Sequence, residues 1–222
     1  VTLHLKPVDE EDGIEDYTKE HVIRRIVRKY SDFVTYPIRM EVERTHIERD
    51  EDGKPKEGAQ ETTVRETATL NSMKAIWRRP ESEVTDEEYN EFYRHVSHDW
   101  NEPLERILYK AEGAAEFRAL LYLPAQAPMD LFMRESQHGI DLYIQRVFIM
   151  KDCEELIPEY LRFVKGVVDS EDLSLNISRE LLQQNRIIRV IRNGIIRKVL
   201  DALGEMLKDR REKYETFWGE FG

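Results

Sequence analysis

The sequence has very little cysteine and no long apolar run. Its single cysteine, Cys153, cannot form an internal disulfide, which suits a reducing compartment such as the cytosol. We expect Cys153 to be an inert, partly buried thiol. No run of about 18 apolar residues is present, which excludes a transmembrane helix. We also expect no signal peptide, because the first residues alternate and then turn acidic at once.

The sequence also lacks the motifs of a self-contained enzyme. It has no glycine-rich phosphate loop, no nucleophile elbow and no HExxH zinc motif. His95, His98 and Asp99 lie close together at the end of a predicted helix, but no other histidine or cysteine is near in the sequence. We therefore interpret these three residues as structural and predict no metal site.

The chain has fewer basic than acidic residues. The 34 Lys and Arg residues against 45 Asp and Glu give a formal net charge of −11. Because duplex phosphates repel an acidic surface, this balance argues against bulk nucleic-acid binding. A local basic stripe after Ile187 leaves one alternative open, a stand-alone interaction or RNA-binding module. Its positive residues are Arg189, Arg192, Arg197 and Lys198.

The first half of the sequence predicts one helix and a β-hairpin. Apolar residues at helical spacing predict a helix over 21–34, and strict alternation predicts a strand over 38–48. The charged loop 49–61 then returns the chain through a second strand over 62–70. Residues 1–6, VTLHLK, also alternate and predict a strand, which we interpret as belonging to a preceding domain.

The second half predicts helices layered on a sheet. Thr85 and Glu88 form a capping box that begins a helix, with Val84 and Tyr89 positioned as a hydrophobic staple. Further strands are predicted over 104–112, 115–124 and 140–150, and Pro158 begins a predicted helix over 159–168. The last third is predicted to be helical, with a break or a close helix contact at Gly204. Its apolar residues recur at three, four or seven positions and are Leu181, Ile188, Ile191, Ile195, Val199 and Met206. The predicted class is α/β, a mixed sheet layered with helices and followed by a C-terminal helical coil.

The stretch SLNISRELLQQN, residues 174–185, contains an unusual charge. Arg179 falls where a helix begins, although the exposed amides of a helix N-terminus favour anions. Asn176 and Gln183 can face the same point, so the three side chains would form an anion site. The alternative is an ion pair between Arg179 and the acidic residues Asp169, Glu171 or Asp172, and the residues alone leave both open.

Two segments contain aromatic residues that could either anchor a loop in the core or form a binding surface. Trp77 lies in AIWRRP, where a large aromatic side chain either anchors a loop or meets a partner. Burial is the more frequent fate of such a residue, but exposed aromatics beside arginines are typical of binding surfaces, and our hypothesis is that Trp77 is at least partly exposed and contributes to binding. In PMDLF, Met129, Leu131 and Phe132 are candidates for an apolar surface patch.

These segments resemble a known family. The stretch RVFIMKDCEELIPEYLRFVKGVVDSEDLSLNISRELLQQN is similar to the middle segment of the heat shock protein 90 chaperones. TDEEYNEFY, EFRALLYLPAQAPMDLF and YETFWGEFG are similar to the same family in the same order. The resemblance covers nearly the whole chain, and HGIDLYIQRVFIM points to the bacterial branch.

The resemblance implies a domain plan. Residues 1–20 would be the end of an N-terminal ATPase domain and an acidic linker, and 21–180 the large α/β subdomain of the middle domain. Residues 181–222 would be a helical coil that leads to a C-terminal part. The whole protein would be a homodimeric, ATP-dependent cytoplasmic chaperone, and ATP with Mg would bind in the N-terminal domain. We therefore expect the present chain alone to have no ATPase activity.

The resemblance also implies residue roles. Arg179 would be the phosphate-binding arginine of a catalytic loop, with Gln183 beside it and Asn176 in the same loop. The implied partners are the N-terminal ATPase domain of the same chain and unfolded clients, with no nucleic acid and no membrane. Trp77, Met129 and Phe132 match client-contact positions, although the family usually has an aromatic residue where this chain has Met129.

Overall fold

The computed structural model describes residues 4–9, 14–46, 62–128, 131 and 138–222. Within this part of the chain, no helix is long and apolar enough to cross a membrane. The chain divides into two compact units, Val1–Lys74 and Ala75–Gly222. This division differs from the three predicted segments, whose bounds remain a prediction about the domain plan of the family.

The first unit contains a helix and a β-hairpin. Helix α1 spans Glu20–Tyr30, which confirms the predicted helix, although it ends four residues early at its cap Ser31. Strands β1 (Arg39–His46) and β2 (Thr62–Thr69) pair antiparallel, as predicted. Within β1, Val42 is buried and its neighbours Glu41 and Glu43 are exposed, which is the alternation expected of a strand with one covered face. The predicted loop 49–61 lies outside the described residues.

The predicted N-terminal strand over residues 1–6 is not found in its described part. Residues 4–8 have no regular secondary structure, and the first backbone pairing is an isolated bridge between Asp9 and Ile14. Alternation alone cannot make a strand, because each strand needs a neighbour to satisfy its backbone groups.

The second unit is built on a five-stranded mixed sheet. Its strand order is β3-β4-β7-β5-β6, with β7 antiparallel to β4 and parallel to β5. Both unit folds combine strands with helices, which confirms the predicted α/β class with a mixed sheet. The strands are β3 (Glu105–Ala111), β4 (Phe117–Leu123), β5 (Ile140–Ile144), β6 (Val147–Cys153) and β7 (Lys165–Ser170).

The predicted single strand over 140–150 is wrong, because this stretch is a hairpin. Strands β5 and β6 pair antiparallel, with Ile144 opposite Val147. The two turn residues, Gln145 and Arg146, have φ angles of +50° and +68°. Such turns usually carry Asn or Gly, so the sequence gives no warning of this one.

The predicted helix over 159–168 is also wrong. Only a 3₁₀ turn, Glu159–Leu161, follows Pro158, and the chain then enters strand β7 in the middle of the sheet. Val167 and Val168 are both fully buried, since the neighbouring strands and the layers on either face cover them. An apolar run of this length fits a central strand as well as a helix, and tertiary pairing decides.

Helices cover the sheet. Helix α2 spans Asp86–Ser97 and begins with the predicted capping box: the Thr85 hydroxyl accepts from the Glu88 N–H at 3.2 Å, and the Glu88 carboxylate accepts from the Thr85 N–H at 3.0 Å. The predicted staple residues, Val84 and Tyr89, are both buried. The helical last third is confirmed and consists of α3 (Arg179–Gln184), α4 (Arg186–Asp209) and α5 (Arg211–Phe221).

Helix α4 contributes the largest apolar face of the core. Its inward residues recur at helical spacing, as predicted, and are Ile188, Ile191, Ile195, Val199 and Met206. Leu181, predicted to join them, is exposed, and Leu182 is buried in its place. The predicted break or contact at Gly204 is wrong: the glycine lies inside α4 with open space around it, and the helix ends instead before Arg210.

The central strand β7 depends on a glycine, which gives a test of the fold. Gly166 has φ +139°, and a Cβ there would lie 2.1 Å from the Leu120 carbonyl oxygen. Gly113 has a similar φ of +120° but open space, so Gly113→Ala carries only backbone strain, about 1–3 kcal/mol. We expect Gly166→Ala to lower the free energy of unfolding by more than about 4 kcal/mol. Urea denaturation of both variants measures the difference, and equal losses would contradict the close approach.

Candidate functional site

A buried carboxylate, Asp169, lies near the end of β7 and organises the region around it. Its side chain is 0% exposed, and a carboxylate in such a place needs donors around it. One oxygen accepts hydrogen bonds from Nε1 of Trp77 at 2.8 Å and from Nε of Arg78 at 2.7 Å. The other accepts from the backbone N–H of Arg146, in the β5–β6 turn, at 3.1 Å. Asp169 therefore joins three segments that are distant in sequence.

Arg78 extends this cluster to the first residue beyond β7. Its guanidinium also forms an ion pair with Glu171. Burial lowers the pKa of Arg78, but Asp169 and Glu171 outweigh burial and raise that pKa overall, so the guanidinium stays charged. The backbone of Glu171 is held as well: its N–H donates to the Glu116 carbonyl at 3.0 Å, and its carbonyl accepts from the Gln145 side chain at 3.4 Å.

The next two residues continue this fixed segment. The Asp172 carboxylate accepts from the Glu116 N–H at 2.6 Å. The Ser170 hydroxyl accepts from the N–H groups of Asp172 and Leu173, both at 3.3 Å. The side chain of Leu173 is buried in the core. Residues 169–173, which we call the loop base, are therefore held by side-chain bonds, backbone bonds and packing together.

Beyond the loop base the chain becomes exposed. Residues 174–176 are all exposed, and we call 174–178 the loop tip. The Ser178 hydroxyl caps α3 by accepting from the Leu181 N–H at 3.4 Å. Helix α3 therefore starts at Arg179, which confirms the prediction that this residue falls where a helix begins.

The structure places the three predicted anion-site residues along one short stretch. Asn176 is exposed in the loop tip, Arg179 is the first residue of α3, and Gln183 is exposed one helical turn further on. The side chain of Arg179 lies outside the described atoms, so the convergence of all three remains a prediction.

The carboxylates of the competing ion-pair interpretation have other partners. Asp169 binds Trp77 and Arg78, Glu171 binds Arg78, and Asp172 accepts from the Glu116 backbone. Asp169 and Glu171 are thus ion-paired with Arg78, whereas Asp172 accepts from a neutral amide and is exposed. The pairing with Arg78 weakens the case for Asp169 and Glu171 as partners of Arg179, and an ion pair with Asp172 stays an alternative.

The predicted exposure of Trp77 is wrong. The side chain is only 3% exposed. Its ring lies 5.5 Å from that of Phe92 and 5.0 Å from that of Tyr143, and its Nε1 is bonded to Asp169. The 3₁₀ turn Ile76–Arg78 carries the indole into the unit, because a buried carboxylate needs this donor. The sequence signal was Asp169 itself, an acidic residue that ends the apolar run GVVDS.

The other predicted client residues, Met129 and Phe132, lie outside the described residues. Leu131, which lies between them, is buried and so does not belong to an exposed apolar patch.

An exposed aromatic residue that sequence reasoning missed is Trp100, at 87% exposure. Its loop is well ordered by hydrogen bonds. The Asp99 carboxylate accepts from the Tyr93 hydroxyl at 2.7 Å and from the Asn101 N–H at 2.9 Å, and the Asp99 N–H donates to Ser97 Oγ at 3.1 Å. The turn-forming sequence DWN directly after a helix was the available signal.

The remaining candidate residues have structural surroundings. Asp99 orders the Trp100 loop, and Nε2 of His98 lies 3.1 Å from Nζ of Lys151, whose charge lowers the pKa of His98. Cys153 is buried, and burial together with Glu155 raises the pKa of its thiol to about 12. The thiol therefore stays protonated at neutral pH, in keeping with the predicted inert role.

Comparison with known proteins adds a second kind of observation. Residues 41–222 match the family described as Hsp90 protein. Over its whole length the chain is 59% identical to the Chaperone protein HtpG of Nocardia farcinica. It is 57% identical, again over its whole length, to the proteins of that name from Mycolicibacterium vanbaalenii and Mycobacterium tuberculosis strain H37Rv.

The chain spans about a third of the length of these relatives, 33% or 34% of each. Their bacterial sources agree with the branch expected from HGIDLYIQRVFIM. The family match covers far more than half of the chain, and the identities extend from end to end. The chain therefore belongs to the Hsp90 protein family.

Proposed function

We propose that this chain is the middle segment of an ATP-dependent molecular chaperone of the bacterial cytoplasm. In this proposal the loop tip and α3 bring Arg179 to ATP held by an N-terminal domain, and other surfaces bind unfolded clients in a homodimer. The observation that carries the proposal is the loop itself: an exposed tip leads to Arg179, while the buried Asp169 and the adjacent Glu171 are paired with Arg78. Family membership supports it and disfavours a stand-alone RNA-binding module.

The chemistry of phosphate transfer explains why an arginine suits this place. As the terminal phosphate of ATP is cleaved, negative charge moves toward the leaving oxygens, and a positioned guanidinium stabilises that charge. The planar fork of Arg179 donates two parallel hydrogen bonds to phosphate oxygens. Gln183, one turn along, and Asn176, in the loop tip, would orient the phosphate or the guanidinium.

The nucleotide pocket is expected in another domain. In the described residues no group of three or more His, Cys, Asp or Glu side chains is arranged to hold a metal ion. These residues therefore do not fit Mg, and no step of the proposed reaction on this chain depends on the metal. The chain alone is expected to be inactive toward ATP, because it would supply an arginine but not the pocket.

Arg179 provides the first test of this function. In the full-length chaperone we expect Arg179→Ala to lower kcat for ATP hydrolysis by about 10²-fold or more, the scale of losing one transition-state donor. ATP binding should be unchanged, since the pocket is built elsewhere, and Arg179→Lys should restore activity only in part. Steady-state turnover and equilibrium nucleotide binding measure both quantities.

Arg189→Ala is the matched control, because Arg189 is an exposed arginine on the following helix. It should retain turnover. Unchanged turnover in Arg179→Ala, together with reduced thermal stability, would instead support an ion-pair role and contradict the proposed function.

For client binding we propose Trp100, together with Met129 and Phe132, as contact residues. Trp100 is an aromatic side chain in water, presented by a loop whose hydrogen bonds fix its position. A preorganised aromatic loses little entropy when it meets an apolar segment of an unfolded protein. Trp77 does not have this property, because its ring and its Nε1 are already engaged.

Replacing Trp77 by alanine should affect stability, whereas replacing Trp100 should affect client binding. Trp77→Ala should destabilise the chain by about 3–5 kcal/mol, as expected for a buried tryptophan. Trp100→Ala should change stability by no more than about 0.5 kcal/mol and raise the Kd for an unfolded client roughly fivefold or more. Urea denaturation and fluorescence anisotropy with a labelled, permanently unfolded protein measure the two effects. Client affinity that stays unchanged in Trp100→Ala would remove this residue from the binding surface.

A further inference from the structure

The adjacent residues Arg78 and Arg79 have different acidic partners, and this difference indicates a specific role for Arg78. Arg79 binds the Glu88 carboxylate on α2 at 2.8 Å. Arg78 instead binds both Asp169 and Glu171, and its side chain is only 13% exposed. Two neighbours of the same type and charge thus serve different elements, one a helix and the other the loop base.

Arg78 spans the junction between the sheet and the loop. Asp169 still belongs to β7 and is paired with its neighbouring strands, whereas Glu171 is the first residue after the strand. A guanidinium presents donors in a rigid fork, so binding both carboxylates fixes their separation and direction. The side chain of Glu171 is therefore held by Arg78, a residue more than ninety positions earlier, in addition to the backbone bonds that Glu171 makes with Glu116 and Gln145.

The charge balance gives Arg78 a role that its neighbours cannot fill. The other donors to Asp169, Nε1 of Trp77 and the backbone N–H of Arg146, are neutral groups. Arg78 brings a positive charge to Asp169 and to Glu171. Without Arg78, less positive charge would offset the negative charges of Asp169 and Glu171. The side chain of Glu171, the more exposed of the two, would then be free to move away from Asp169.

We propose that Arg78 is a positioning residue for Arg179. By binding Asp169 and Glu171 together, it fixes the loop base and thereby the place from which the loop tip and α3 present Arg179. This inference rests on the proposed function of Arg179 in ATP hydrolysis.

The test compares three single variants in the full-length chaperone. Arg78→Met removes the fork, and Glu171→Gln removes only the loop-side charge while leaving the pair of Arg78 with Asp169. Both should lower kcat on the order of tenfold or more, since a misplacement of about 1 Å costs up to about 10²-fold. The KM for ATP should stay unchanged, because these residues are not part of the pocket. Arg79→Met, the matched control, should keep wild-type turnover.

Two further measurements separate positioning from a general loss of stability. Hydrogen exchange at the amides of 171–173 in the loop base, whose N–H groups are hydrogen-bonded, should be faster in Arg78→Met than in Arg79→Met, and Arg78→Lys should restore slow exchange and turnover only in part. In an Arg179→Ala background, Arg78→Met should have no further effect on turnover. The same fold-loss in both backgrounds, or equal exchange in the two arginine variants, would overturn the positioning role.

The inference and the proposed function fail in distinguishable ways. Unchanged turnover in Arg179→Ala would remove the proposed function and, with it, any positioning for hydrolysis. Reduced turnover in Arg179→Ala with wild-type turnover in both Arg78→Met and Glu171→Gln would overturn the positioning alone. Glu171→Gln keeps the experiment decisive if Arg78→Met does not fold, because it leaves Asp169 paired.

Discussion

The second unit depends on the burial of one carboxylate. Asp169 lies in a sheet covered on both faces, where an uncompensated charge is strongly unfavourable. Its donors come from the 3₁₀ turn at Trp77 and Arg78 and from the turn at Arg146. Removing one partner of a buried pair typically costs about 3–5 kcal/mol, more than most packing contacts contribute. The side chain of Asp169 therefore fixes the positions of these two turns relative to strand β7.

The same constraint divides residues 169–178 into a base and a tip with different properties. Ser170 and Asp172 extend the hydrogen bonding that starts at Asp169, and Leu173 adds packing in the core. Beyond Leu173, residues 174–176 and Ser178 are exposed, and Ile177 is only partly buried against the core. Segments with few buried contacts open at low free energy, whereas strands in a core open only with the whole unit. A stable base and a free tip thus follow from where the buried charge lies.

Much of the fold follows from local patterns, and the failures have two causes. Helical spacing identified α4, alternation identified β1, and Thr85 with Glu88 located the start of α2, because each signal lies within a few residues. Strand β7 was missed because its pairing with β4 is long-range, and the β5–β6 turn was missed because Gln145 and Arg146 are not typical turn residues. At the site, the order of Asn176, Arg179 and Gln183 was readable from the sequence. The burial of Trp77 was not, because its partner Asp169 is ninety-two residues away.

Trp77 is held inside the unit by the packing of its ring against Phe92 and Tyr143 and by the hydrogen bond from its Nε1 to Asp169. The loop of Trp100 satisfies its own polar groups through Asp99 and leaves that ring exposed. A parallel reasoning applies to Arg78 and Arg179. The first is held between Asp169 and Glu171, and the second starts a helix beside an exposed tip. Any acidic partner of an arginine competes with a phosphate for the guanidinium. By pairing Asp169 and Glu171 with Arg78, the buried cluster removes two nearby acids from that competition.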